Sequence, residues 1–221
     1  MTITSRIFSN LTVLLTPLLL LLIAVQILLT PLFFEIEYRM PGFPEDTYGF
    51  TFEERMHWAK STMHYLKSNE GIDYLSGLAF EDGNPIYVER ELDHMIDVKN
   101  LIIAATYGLF ALLLLMLLSL LYFKKSEQML LFWRAISRGG VLTIGLILSA
   151  LLTIFIGFDA LFTGFHKIFF EGDSWLFYFS DTLIRLFPMR LWQDAFATAG
   201  IFTFLGGAAL FFTGSKKTKS I

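Results

Sequence analysis

Four long apolar runs limit what this chain can fold into. They cover roughly residues 7–34, 101–123, 141–158 and 195–213. A helix rises ~1.5 Å per residue, so about 20 apolar residues cross a hydrocarbon core of about 30 Å. With 55% hydrophobic residues, the chain is predicted to be an all-α integral membrane protein with four transmembrane helices. We expect one membrane domain over residues 1–221.

The first run follows Arg6 and has the position of a signal peptide. Its apolar stretch is about twice as long as that of a signal peptide, and no cleavage site of small residues follows it. We therefore expect a retained membrane anchor. Pro17 lies inside this run, and a transmembrane helix tolerates such a kink when neighbouring groups bond the freed carbonyl.

Basic residues cluster on one side of the predicted spans. The N-terminal stub, the loop 124–138 and the tail after Gly214 hold eight basic residues and one acidic residue, whereas the rest of the chain holds nine basic and nineteen acidic residues. Cytoplasmic loops are enriched in Lys and Arg. The distribution predicts that both termini are cytoplasmic, with a small exoplasmic cap at residues 35–98 and an exoplasmic interfacial segment at residues 159–194.

The exoplasmic cap contains one clear helix signal at residues 51–66. Thr51 and Glu54 have the spacing of a capping box, in which each side chain binds the other residue's backbone amide. The predicted apolar face of this helix comprises Phe52, Met56, Ala59, Met63 and Leu66. Residues 78–88 read as a short hairpin, with its turn at Asp82-Gly83.

The interfacial segment is rich in aromatic residues, which is typical of the headgroup level of a membrane. Ser174–Phe187 is predicted to form a surface helix, with Asp181 and Arg185 paired at i, i+4. Two interpretations remain open: a connector lying on the membrane, or a wall for a groove that binds acyl chains. The aromatic residues are Phe169, Phe170, Trp175, Phe177, Tyr178, Phe179, Phe187 and Trp192.

Two of the four histidines lie just outside apolar runs at matching depths. His94 precedes the run that opens at Leu101, and His166 follows the run that closes at Phe158. Two imidazoles at one depth indicate a single site for proton transfer at the membrane surface. The other two, His57 and His64, share the cap helix and are expected to have surface or packing roles.

Carboxylates lie close to both histidines in sequence. Asp97 follows His94 by three residues, and Asp159 and Thr163 share a helical stripe with His166. A carboxylate near the end of a membrane span is costly unless it has a partner. We expect Asp97 and Asp159 to orient the imidazoles, with structural His–Asp pairing as the alternative.

Several classes of function are excluded or disfavoured. The chain has no cysteine, which removes thiol nucleophiles and disulfide exchange. It has no HExxH motif and no basic footprint for nucleic acid. We therefore expect no metal, no cofactor and no nucleic-acid partner. A proton-coupled transporter or channel subunit is the first alternative, although the span centres hold few polar residues; a structural subunit of a membrane complex is the second.

Three motifs resemble the bacterial lipoprotein intramolecular transacylase family, Lit. They are Glu91-Leu-Asp-His-Met-Ile-Asp-Val-Lys99, Gly157-Phe-Asp-Ala-Leu-Phe-Thr-Gly-Phe-His166, and Trp175 followed by Asp181-Thr-Leu-Ile-Arg-Leu-Phe-Pro188. The resemblance extends over nearly the whole chain and includes the layout of four spans.

This resemblance implies an acyltransferase of the cytoplasmic membrane. It would move the sn-2 acyl chain of a diacylglyceryl-cysteine lipoprotein to the α-amino group of the same cysteine, giving a lyso-lipoprotein. His94 and His166 carry over as the catalytic residues, acting as general acid and base at the outer interface. Trp175 and Arg185 are candidates for contact with the substrate. The implied partners are the diacylated lipoprotein and membrane lipids.

Overall fold

The computed structural model describes residues 1–220, and the side chains of residues 153–156 lie outside that description. Within the described residues the chain forms α-helices and no β-strand, which confirms the predicted all-α class. The helices are α1 (Ile3–Leu28), α2 (Pro31–Tyr38), α3 (Phe52–Lys67), α4 (Asp73–Ser76), α5 (Glu89–Lys125), α6 (Met129–Phe169), α7 (Thr182–Leu186) and α8 (Met189–Lys219).

Four helices are long and apolar enough to cross a membrane, as predicted. The qualifying segments are Ile3–Leu28, Glu89–Lys125, Met129–Leu152 and Met189–Lys219. Each predicted apolar run falls mainly within one of these helices, and the polar ends of the helices extend beyond the runs. The chain is therefore a membrane-integral protein.

The predicted end of the first span was wrong, whereas the third span breaks within one residue of its predicted end at Phe158. Helix α1 ends at Leu28 rather than Phe34, because Thr30 is extended (φ −129°, ψ 145°) before Pro31 starts α2. Proline disfavours helical geometry in the residue before it and suits the first turn of a new helix. Helix α6 leaves helical geometry at Gly157 (φ −168°, ψ 75°) and resumes as far as Phe169.

The chain divides into two compact units. The first, the membrane unit, comprises residues 1–26, 105–156 and the chain from Ala197 on; the second, the cap unit, comprises Ile27–Ala104 and Gly157–Phe196. Both histidines of interest belong to the cap unit.

Small residues allow close helix packing in the membrane unit. A Cβ atom added to Gly140 would lie 2.5 Å from the carbonyl oxygen of Gly207, so the backbones of α6 and α8 nearly touch there. Polar side chains in this unit also bond each other: the hydroxyl groups of Thr12 and Ser119 are 2.6 Å apart. Small interfacial residues and hydroxyl pairs are the usual means of joining helices in lipid.

The cap unit is built around α3. The capping box is present as predicted, since Thr51 Oγ1 accepts from the Glu54 amide at 3.2 Å and Glu54 Oε2 accepts from the Thr51 amide at 2.8 Å. The buried face of the helix consists of Met56, Ala59, Met63 and Leu66, with Phe52 half-buried at its edge. The predicted hairpin is reduced to one antiparallel bridge between Ala79 and Pro85.

The predicted helix Ser174–Phe187 was wrong for most of its length. Only Thr182–Leu186 is helical, and Asp181 does not pair with Arg185. Asp181 instead binds Arg90, and Arg185 binds Asp46 with an N–O distance of 2.9 Å. Both arginine–carboxylate pairs join residues far apart in sequence, so they replace the local i, i+4 pair that the spacing favoured.

Helix α7 packs Leu183 and Leu186 into the core, and its backbone is bonded by side chains of three other helices. Arg55 Nε and Nη2 donate to the carbonyl oxygen of Arg185 at 2.9 and 2.7 Å, and Tyr38 Oη donates to that of Leu186 at 2.7 Å. The amide of Leu183 donates to Glu91 Oε1 at 2.7 Å. A helix of one or two turns is unstable alone, so these bonds fix the position of α7.

Candidate active site

The two histidines are positioned by the ends of long helices. Helix α5 begins at Glu89, and the Val88 amide donates to Glu91 Oε2 at 2.9 Å. This bond satisfies one of the free amides at the helix start and fixes the first turn, so His94 falls in the second turn. His166 lies in the last turn of α6, beyond the break at Gly157.

The structure brings His94 and His166 together. Their ring centroids are 6.1 Å apart and their planes differ by 19°. Both residues are nearly buried, with 7% and 8% of their surface exposed. Both also lie outside the apolar runs at 101–123 and 141–158. The two imidazoles therefore lie next to each other in the cap unit, as expected.

Aromatic rings surround the histidine pair. Phe170 contacts both imidazoles, with centroid distances of 4.8 Å to His94 and 5.4 Å to His166. Phe177 lies 5.3 Å from His94, and Trp175 lies 4.9 Å from His166. The site is thus walled by apolar surface, which excludes water and strengthens electrostatic interactions inside it.

A backbone carbonyl determines which nitrogen of His166 is available. Nδ1 of His166 lies 2.8 Å from the carbonyl oxygen of Phe162, one turn earlier in α6. A carbonyl oxygen only accepts hydrogen bonds, so Nδ1 carries the proton in the neutral ring. Nε2 then keeps its lone pair and has the character of a general base.

Burial keeps both imidazoles neutral near pH 7. Burial lowers the pKa of His94, and the neighbouring His166 lowers it further. Burial also lowers the pKa of His166, and its hydrogen bond with the Phe162 carbonyl opposes part of that shift. Because the ordinary pKa of histidine is about 6.5, each ring can accept a proton at neutral pH.

Of the other predicted site residues, one contacts the histidine pair and the rest make no hydrogen bond or ring contact with it among the described residues. Trp175 contacts His166, as described above. The Arg185 side chain binds Asp46, and its guanidinium carbon lies 3.6 Å from the centroid of Phe50. Asp97 and Asp159 are exposed, Thr163 is half-buried, and no hydrogen bond joins any of the three to a histidine in the described part of the chain.

Sequence reasoning missed the hydrogen-bond partner of His166 and the two residues before His94 that bond the region around α7. The partner of His166 is the carbonyl of Phe162, and backbone groups leave no signal in a side-chain pattern. Arg90 and Glu91 precede His94 by four and three residues, so helical spacing would have placed them on its face. Their partners lie in and just before α7, outside the reach of any local pattern.

We expect Asp97→Asn and Asp159→Asn to change the rate of a reaction at the histidine pair only slightly. Both carboxylates are exposed to solvent, where charge interactions are weak and screened, and neither bonds a histidine. The measurement is the initial rate of each variant against the wild type. A loss as large as that of a histidine variant would restore the carboxylates as orienting groups.

Comparison with known proteins identifies similar sequences and folds. The family model described as lipoprotein intramolecular transacylase Lit matches residues 10–192. A protein of Aquifex aeolicus (strain VF5) described as "Uncharacterized protein" is 29% identical over 209 residues, which are 95% of this chain and 94% of that protein. The in meso structure of the membrane integral transacylase Lit from Bacillus cereus has a TM-score of 0.81 at 20% identity and covers 99% of both chains. A variant of that protein with one histidine replaced by arginine has a TM-score of 0.77 at 19% identity, over 98% of this chain and 93% of the other.

Proposed function

Since the chain belongs to the lipoprotein intramolecular transacylase (Lit) family, a family of acyltransferases, we propose that it moves the sn-2 acyl chain of a diacylglyceryl-cysteine lipoprotein to the α-amino group of the same cysteine. The observation that carries this proposal is the buried pair His94 and His166, with ring centroids 6.1 Å apart. The product is an N-acylated lyso-lipoprotein.

The reaction is the aminolysis of an ester. A bond forms between the cysteine nitrogen and the sn-2 carbonyl carbon, and the bond from that carbon to the glycerol oxygen breaks. The amine must be neutral, its proton must be taken up during attack, and the departing oxygen must receive a proton. Two neutral imidazoles supply an acceptor and a donor without a covalent acyl-enzyme intermediate.

We assign His166 as the general base. Its Nδ1 is engaged by the Phe162 carbonyl at 2.8 Å, so Nε2 takes the proton from the attacking amine. His94 then polarises the carbonyl or gives a proton to the departing glycerol oxygen. Nδ1 of His94 is buried and bonds no described residue, which leaves this nitrogen available to a substrate.

The aromatic wall supports transfer over hydrolysis. Attack by the cysteine nitrogen closes a medium-sized ring, and such rings form slowly in free solution because the required conformer is rare. Rings such as Phe170 and Phe177, packed around the pair, can hold a folded substrate and keep water away from the ester. Exclusion of water also protects the reactive intermediate.

The distribution of charge supports an outer location for this chemistry. The most basic segments are the N-terminal stub, the loop at 124–138 and the tail after Gly214, and we propose that all three are cytoplasmic by the positive-inside rule. His94 and His166 would then lie at the exoplasmic surface of the bacterial cytoplasmic membrane. Mature lipoproteins with their diacylglyceryl group in the outer leaflet would meet the site there.

The proposal is tested by mass spectrometry of a synthetic diacylated lipopeptide incubated with the purified protein in detergent. Tandem fragmentation locates each acyl chain. We expect a product of unchanged mass with one chain on the cysteine nitrogen. Release of free fatty acid alone, or no migration of either chain, would overturn the proposal.

The pH profile of the reaction should rise from neutral to mildly alkaline pH. The pKa of each histidine is lowered from its ordinary value by burial, so protonation of the pair reduces kcat/KM only below about pH 6.5. The α-amino group of the substrate has an ordinary pKa of about 7.7–8.0, so the fraction of neutral amine grows through that range. Initial rates measured between about pH 5 and 9 check this expectation. A value of kcat/KM that falls between about pH 6 and 8 would contradict it.

A further inference from the structure

The segment 170–181, here called the aromatic segment, carries three of the rings that surround the histidine pair. It runs from the end of α6 to the start of α7 and is not helical. Its hydrogen bonds are mostly local: the Leu176 amide donates to the Asp173 carbonyl at 3.0 Å, and Trp175 Nε1 donates to the Gly172 carbonyl at 3.2 Å. The Phe170 amide also donates to the His166 carbonyl at 2.8 Å, which fixes the start of the segment; the local bonds shape the rest of the segment but do not fix its far end.

One side chain of α5 binds the end of this segment. Arg90 Nη2 donates to both carboxylate oxygens of Asp181, each at 2.6 Å, and Arg90 Nε donates to Asp181 Oδ2 at 3.1 Å. The guanidinium carbon also lies 4.4 Å from the centroid of Tyr178. Among the described residues, Arg90 makes the only hydrogen bonds from outside the aromatic segment to its side chains.

The position of Arg90 connects this contact to the site. Arg90 precedes His94 by four residues on α5, so the two side chains share a helix face. Phe177, which contacts His94, lies next to Tyr178 in sequence. An arginine that binds Asp181 and covers Tyr178 therefore keeps the ring of Phe177 over the imidazole.

The pair has the geometry of a strong contact despite its partial exposure. The Asp181 side chain is 8% exposed, whereas that of Arg90 is 42% exposed. Isolated surface ion pairs contribute little, but a guanidinium that binds a buried carboxylate through several bonds is stronger and more directional. The carboxylate also accepts from the Tyr178 amide at 2.8 Å, so the backbone of the segment is tied to the same group.

We propose that Arg90, acting through Asp181, is a positioning residue that holds the aromatic segment over His94 and His166. Loss of the contact lets the segment swing away while α7 stays in place through its own backbone bonds. Water then reaches the histidine pair. The kinetic consequence rests on the proposed function, whereas the change in accessibility does not.

Chemical modification of the histidines tests accessibility without any assay of activity. Diethyl pyrocarbonate acylates neutral imidazole, and mass spectrometry gives the rate at each histidine. In the wild type we expect slow modification of His94 and His166, with the exposed His57 and His64 as internal references. Arg90→Ala should accelerate the first two several-fold and leave the references unchanged.

Three further variants separate positioning from general damage. Asp181→Asn should reproduce the effect of Arg90→Ala, and the double variant should add nothing because both changes break one contact. The modification rates in Arg90→Lys should lie between those of the wild type and Arg90→Ala, since an ammonium keeps the charge but cannot reproduce the fork of a guanidinium. Arg39→Ala is the matched control, because Arg39 also pairs with a carboxylate, Glu35, and covers a ring, Phe52.

The transfer assay supplies a second test. In Arg90→Ala we expect kcat to fall about 10- to 100-fold, with a larger share of free fatty acid because water competes with the amine. If the wild type shows no transfer, the proposed function fails while the modification test still applies. Unchanged modification of His94 and His166 in folded Arg90→Ala and Asp181→Asn would overturn the inference, as would equal acceleration at His57 and His64 or in Arg39→Ala. Should Arg90→Ala fail to fold, Asp181→Asn and Arg90→Lys decide by the same criteria.

Discussion

Replacement of His166 by alanine is expected to lower the rate of acyl transfer by roughly 100- to 10,000-fold, the usual contribution of a general base. The His166 ring is the proposed acceptor for the amine proton. In the described part of the chain, His94 is the only other imidazole that contacts it. His94→Ala should cause a loss of the same order. The double variant should lose little more than either single one, because residues that act as a unit are not additive.

His64→Ala is the matched control for this experiment. His64 belongs to the same cap unit, is exposed, and contacts Tyr74 with a centroid distance of 5.1 Å. Its replacement removes an imidazole without touching the pair, so the rate should stay near that of the wild type. Retention of more than about a tenth of the wild-type rate in both His94→Ala and His166→Ala would exclude histidine acid–base catalysis.

The second large effect is expected in the membrane unit, where Gly140→Ala should destabilise the protein by about 1–3 kcal/mol or more. The added Cβ would lie 2.5 Å from the Gly207 carbonyl oxygen and 2.7 Å from the Phe211 amide nitrogen. These are backbone atoms of α8, so no side chain can rotate to relieve the clash. The two helices must separate, and dispersion interactions along the α6–α8 interface are lost.

Thermal unfolding in detergent measures this effect, and Gly145→Ala provides the control on the same helix. A Cβ added to Gly145 meets nothing within 4 Å, so only the intrinsic helix preference for alanine over glycine acts there. Gly145→Ala should unfold at or slightly above the wild-type temperature. Equal unfolding temperatures for Gly140→Ala and the wild type would mean that the two backbones are not in contact.

Features encoded by periodicity and local spacing could be predicted from the sequence. The four apolar runs predicted four helices, and Thr51 with Glu54 predicted the start of α3. The proximity of His94 and His166 followed from their matching distances to the apolar runs, because helix geometry converts sequence separation into depth. In each case the relevant information is a spacing within one helix, or the spacing between a residue and the nearest apolar run.

The wrong prediction for residues 174–187 concerns side chains whose partners lie far away in the sequence. The spacing of Asp181 and Arg185 favoured a local pair. In the structure Asp181 binds Arg90, and Arg185 binds Asp46. Tertiary contacts of this kind override weak i, i+4 preferences. The expected carboxylates differ from the observed partner for another reason: His166 bonds the backbone carbonyl of Phe162, one turn earlier, and a backbone group leaves no signal in a side-chain pattern.

The way α7 is held has a consequence for sequence divergence. Arg55 and Tyr38 bind carbonyl oxygens of α7, and Glu91 binds one of its amides. Every residue type except proline offers both groups. Homologues can therefore exchange a residue of α7 without losing these bonds, as long as the new sequence still fills the buried positions of Leu183 and Leu186. Distant relatives should therefore be recognised by Tyr38, Arg55 and Glu91 together with the apolar character of those two buried positions, and not by the exact sequence of α7.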